Sequence, residues 1–183
     1  MYCFNILTVI LAISVGCVEC HHKAACPTYW TNRGDFCYRL YSTEKTWVDA
    51  EAFCKTIGAP NGQGIAHLAS VHSADEQQDL YDYWKTHRNE IPSSVVYSSN
   101  TEYPGLWIGL NDIAHNRDWR YTDGSTVDYT NWLNGEPNNC CGGEAAVHMW
   151  DGPHHNGGWN DIAHNSQEWT FPFICKMPAS SCH

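Results

Sequence analysis

The sequence predicts an α+β fold, two helices followed by short strands, on three observations. Helix-start signals stand at Thr46 and Ser73, each with an acidic residue three positions on, Asp49 and Glu76. Apolar runs of strand length, LWIGL at 106–110 and FPFICK at 171–176, come after both helices. Between them the chain is rich in Gly, Asn, Asp and Trp, a loop-like composition. Helices gathered early and strands late make an α+β domain.

The elements follow in order. Residues 1–18, MYCFNILTVILAISVGCV, are almost unbroken apolar chain with only the α-amino group as a positive start, which predicts a cleaved secretory signal peptide. The run is short for a membrane span, and anchoring by an uncleaved segment is the lesser alternative. Residues 19–183 then form a single domain with its core at about 26–177, long enough to bury a hydrophobic interior. At 26–41, CPTYWTNRGDFCYRLY, two aromatic-rich runs flank Asn32, Arg33 and Gly34, a β-hairpin that a Cys26–Cys37 bridge would staple. The first helix places Trp47, Ala50, Phe53, Cys54 and Ile57 on one face and runs to Gly58. The second starts from a full capping box at Ser73 and Glu76 and presents Leu80, Tyr83, Trp84 and His87. HLASV at 67–71 reads as a strand between them, and 86–105 as a surface loop without identifiable chemistry.

Ten cysteines point to an oxidising compartment, so the protein is read as secreted and extracellular. Twenty acidic against ten basic side chains give a net charge of −10, which excludes nucleic acid as a partner and disfavours anionic lipid. No nucleophile elbow, zinc-protease motif or phosphate-cradling glycine loop is present, so the chain is not read as an enzyme. His148, His154, His155 and His164 match no zinc pattern and are read as loop histidines.

Chemistry concentrates between Trp132 and Asp161. There Glu136, Asn138 and Glu144 lie within nine residues, and Asn160 and Asp161 are adjacent. All five carry hard oxygen donors, which calcium takes in sixes to eights and magnesium accepts less readily. In order along the chain, CPTYW, the helix ending in FCK, HLASVHSADE, LWIGLND, YTDGSTVDYTNW, GEPNN, GWNDI and PFICK resemble the landmarks of C-type lectin domains, most of all echinoderm and perlucin-like invertebrate lectins.

The resemblance implies a fold with small antiparallel sheets and a long calcium-binding loop. Glu136 and Asn138, on either side of a cis Pro137, would join Glu144, Asn160 and Asp161 around Ca²⁺. Glu136, Asn138, Glu144 and Asn160 would also meet two adjacent sugar hydroxyls, the carboxylates accepting and the amides donating. The order Glu-Pro-Asn implies a mannose or N-acetylglucosamine type of preference, and Trp150 and Trp159 could either stack on a sugar or pack beneath the loop. The expected function is a calcium-dependent lectin of innate recognition or agglutination, binding glycans on microbial or cell surfaces. The competing reading keeps the fold without sugar, as an extracellular matrix or biomineralisation protein that binds protein or mineral.

It also implies a Cys54–Cys175 bridge beside Cys26–Cys37, closing a loop of roughly 120 residues worth on the order of 4 to 5 kcal/mol in the chain-entropy model. A further bridge of the family would fall on Ala146 and His164, and is missing. The partners of Cys17, Cys20, Cys140, Cys141 and Cys182 stay open; cleavage after Gly16 would leave nine cysteines and predict a disulfide-linked homo-oligomer, whereas cleavage after Val18 would leave eight. An auxiliary calcium site would draw on Asp112, Asn116, Asn139, Glu144 and Ala145, too poor in carboxylates to bind strongly.

Overall fold

The computed structural model describes residues 26–58, 64–90, 105–151 and 155–180. The signal peptide expected at 1–18, Cys20, Cys182 and His154 lie outside the described residues. Among the described residues, two α-helices and eight strands occur in order: β1 (Thr31–Arg33), β2 (Phe36–Lys45), α1 (Trp47–Lys55), β3 (His67–Leu68), α2 (Ala74–Glu90), β4 (Gly105–Asn111), β5 (Arg120–Tyr121), β6 (Glu144–Trp150), β7 (Gly158–Ala163) and β8 (Phe171–Pro178), with a 3-10 turn at Cys140–Gly142 before β6. Their sheet order is β1-β2-β8-β4-β6-β7, with β3 added to β8 and β5 to β4. The pairs are antiparallel except one parallel contact, Trp107 against Phe173, which joins the expected small sheets into one mixed sheet.

Period-two alternation sorts the side chains into two cores. Trp107, Ala146, Ile162, Phe171, Phe173 and Cys175 pack with Trp47, Ala50 and Cys54 of α1. Leu106, Ile108, Leu110, Val147, Met149, Trp159 and Ile174 pack with Leu80, Tyr81 and Trp84 of α2. Strands β2, β4, β6, β7 and β8 thus feed both faces, and the helices cover opposite sides of the sheet.

Both helix starts are as expected: the Asp49 N–H donates to Thr46 Oγ1 at 3.2 Å and the Glu76 N–H to Ser73 Oγ at 3.1 Å. Glu76 itself accepts from the His72 N–H at 2.8 Å, one residue earlier than a capping box requires. Helix α1 ends at Lys55 rather than Gly58, where the Thr56 N–H donates to the Phe53 carbonyl at 3.0 Å and the Ile57 N–H to the Cys54 carbonyl at 2.9 Å. The strand expected at 67–71 is reduced to His67 and Leu68; Ala69 still donates to the Ile174 carbonyl, and its own carbonyl accepts from Gly109. Of the loop expected over 86–105, residues 86–90 belong to α2 and Gly105 to β4, while residues 91–104 lie outside the described residues.

Cys26–Cys37 and Cys54–Cys175 are both formed, each with Cα atoms 5.5 Å apart. Cys26 precedes β1 instead of lying on a strand arm. Ala146, where the resemblance leads one to expect a bridge, is buried in the core, and the half-buried His164 is tied to α1 by the Val48 N–H, 3.3 Å from its carbonyl.

Candidate functional site

Two edges build the site: the loop 131–143 and the antiparallel pair β6–β7. Loop and strand are laced by Leu133 donating to the Trp159 carbonyl at 3.0 Å and Trp159 to the Asn131 carbonyl at 2.8 Å. Behind β7, Gln77 of α2 accepts from Trp159 Nε1 at 2.7 Å and donates to the Gly157 carbonyl at 2.9 Å. Gly157, at φ +77°, lies so close that a Cβ there would stand 2.7 Å from the Tyr81 ring. Helix α2 therefore fixes the strand that carries Asn160 and Asp161.

Four of the five expected ligands are brought together. Asp161 is buried and accepts from the Asn138 N–H at 3.0 Å and the Asn139 N–H at 2.8 Å. Asn138 Nδ2 donates to Glu136 Oε1 at 2.8 Å. The Cys140 N–H, in a short 3-10 turn, lies 2.6 Å from both Glu144 Oε2 and Asn138 Oδ1. Asn139, at φ +49°, turns the loop so that these N–H groups face the carboxylates. The Glu136–Pro137 bond is cis.

Asn160 stands apart from that network. Alternation along β7 sends Trp159 and Asp161 toward the α2 face, and Asn160 and Ile162 toward the α1 face. There Asn160 Nδ2 lies 3.1 Å from Nε2 of His148, its cross-strand partner. His148 is fully buried, and burial, with the nearby His155, drives its pKa down to about 3. His148 lies in β6 and not in the loop expected for it; its alternation with Val147 and Met149 in an apolar run is the signal for a strand.

The electrostatics suit a cation. Burial, opposed by the Cys140 N–H, and the neighbouring Asp161 and Glu136 carboxylates raise Glu144 to about 7. Burial and the adjoining Asp161 raise Glu136 as well. Among the described residues no three acidic, histidine or cysteine side chains already converge as a metal cage, because loop N–H groups hold the oxygens. The donor set nevertheless fits a hard cation: clustered carboxylates short of positive charge, with amide oxygens beside them.

Trp159 is fully buried against Tyr129 and Trp132, which removes it as a sugar platform. Trp150 is half-buried, stacked on His155 at 4.0 Å. Asp112, Asn116, Asn139, Glu144 and Ala145 do line one open depression of 270 Å³. Within it Asp112 is already bonded to the Arg117 N–H at 2.6 Å.

A family model described as the lectin C-type domain matches residues 43–177. Echinoidin of Heliocidaris crassispina is 33% identical over 156 residues, covering 84% of this chain and 97% of its own. The alpha-N-acetylgalactosamine-specific lectin of Patiria pectinifera is 36% identical over 152 residues, covering 83% and 80%. Among solved structures, the C-type lectin CEL-I from Cucumaria echinata aligns with a TM-score of 0.70 at 33% identity, covering 85% of this chain and 99% of that one.

Proposed function

The chain belongs to the C-type lectin family, carbohydrate-binding proteins and not enzymes, and from that premise we propose that it is a secreted, calcium-dependent lectin for vicinal sugar hydroxyls. The observation that carries this reading is the gathering of Glu136, Asn138, Glu144 and Asp161 by the loop N–H groups of residues 138–140.

Glu136, Asn138, Glu144, Asn160 and Asp161 would hold the ion. A bound Ca²⁺ supplies open coordination positions for two neighbouring hydroxyl oxygens. There Glu136 and Glu144 would accept hydrogen bonds from the hydroxyls, and the amides of Asn138 and Asn160 would donate to the hydroxyl oxygens. The carboxylates' raised pKa values support the need for positive charge at this spot. The order Glu136-Pro137-Asn138 favours mannose or N-acetylglucosamine over galactose-type ligands. The natural targets proposed are glycans on microbial or cell surfaces, with agglutination through a disulfide-linked homo-oligomer, since several weak heads raise effective affinity by avidity.

The test is retention of the oxidised protein on mannose, N-acetylglucosamine and galactose resins in calcium, followed by EDTA. Retention on the first two, release by EDTA and a shift toward galactose in Glu136→Gln with Asn138→Asp are expected. A folded protein that passes every resin would reject the sugar reading and leave a matrix or protein-binding role.

A further inference from the structure

His148 carries a buried imidazole that none of the sugar contacts above employs. We infer that His148 is a positioning residue for the candidate site: by accepting from the Asn160 amide, it determines which amide atom remains for a cation. This rests on the calcium-lectin reading.

The ring cannot turn freely. It lies 4.8 Å from Phe171 and within 1° of parallel, with Trp107 at 6.0 Å edge-on and Trp150 at 6.2 Å. Beneath it Gly105 has no side chain, and a Cβ there would stand 2.4 Å from Nδ1. Only Nε2 is directed at Asn160.

The two ends of an amide have nearly the same size, so packing alone does not choose between them; hydrogen bonding does. A neutral imidazole has one N–H and one lone pair. With the lone pair on Nε2, the amide must present Nδ2 to the ring. That leaves Oδ1, the atom a hard cation takes, and one N–H for a sugar oxygen. The other tautomer would engage Oδ1 and turn the NH₂ toward the ion, which repels it.

The arrangement carries a cost. The proton then sits on Nδ1, which is buried and has no hydrogen-bond partner among the described residues. Leucine at this position would be free of it. Stability and ion binding therefore respond in opposite senses to the same substitution, which a purely structural histidine would not produce.

The experiment compares wild type, His148→Leu and His148→Gln by calcium titration and by melting without calcium, and reads the wild-type ring by ¹⁵N NMR. Expected are a ring protonated on Nδ1 and bare at Nε2 and, for leucine, calcium affinity weaker by roughly 10- to 100-fold with no loss of calcium-free melting temperature. Glutamine, whose carbonyl can accept from Asn160, should restore most of the affinity. A ring protonated on Nε2, or a leucine variant with wild-type calcium affinity, overturns the inference. Wild-type protein that takes up no calcium overturns instead the proposed function, while the tautomer, read without the ion, still decides the hydrogen bond. If the leucine variant does not fold, the tautomer and the glutamine variant decide.

Discussion

At the scale of residues, a buried ion pair ties the start of α2 to β8. Lys176 is buried, and its Nζ donates to Glu76 Oε1 at 2.7 Å and to the Ser70 carbonyl at 3.0 Å; Tyr38 donates to the same Glu76 oxygen at 2.5 Å. Burial resists the charge on Glu76, but Lys176, Tyr38 and the His72 N–H outweigh it and hold the carboxyl below its ordinary value. The contribution is thus complete above the unfolded pKa of about 4.5 and fades as pH falls through the lower folded value. Urea unfolding should show stability declining below about pH 4.5, and the decline should be shallower in Glu76→Gln. Removing the cation, as in Lys176→Met, should cost toward the lower end of about 3–5 kcal/mol, because Glu76 can take up some water. Glu136, Asn138, Glu144 and Asp161 were legible in the sequence as one cluster of hard donors, because such donors crowded among glycines have few other uses. His148 was not, since its identity says nothing of which face of a strand it occupies.

At the scale of elements, the starts of both helices could be read because Thr46 and Ser73 act on N–H groups three residues away. What could not be read is non-local. HLASV has the composition of a longer strand, but its ladder with β8 stops at Leu68, with one further bond from the Ala69 N–H to the Ile174 carbonyl. The parallel contact of Trp107 with Phe173 joins residues 66 positions apart, which no local pattern encodes. The β6–β7 hairpin also owes its place to a distant element, α2. Gly157→Ala should cost about 1–3 kcal/mol by forcing a side chain at positive φ against Tyr81, and should weaken calcium uptake by displacing β7. Replacing Cys54 and Cys175 together with alanine should lower unfolding free energy by about 4–5 kcal/mol, provided the unfolded chain is otherwise unconstrained. Equilibrium denaturation measures both.

For the whole molecule, a helix on each side of one sheet leaves the edge strand β7 and the loop beside it as the place of the candidate site. If calcium binds the folded state alone, a hundredfold excess over its Kd should add about 2.7 kcal/mol of stability, removable by EDTA. Protons compete for the same carboxylates, so sugar retention should fail by about pH 4.5. At the opposite end of the sheet order, β2 and β8 pair from Phe36 with Pro178, and Ala179 donates to the Asp35 carbonyl at 2.8 Å. The polypeptide thus enters and leaves the described fold at neighbouring points, on the side away from β7. A tether or a sensor chip coupled at either point would leave the β6–β7 edge turned outward, and many copies on one support would present their binding faces in a common direction.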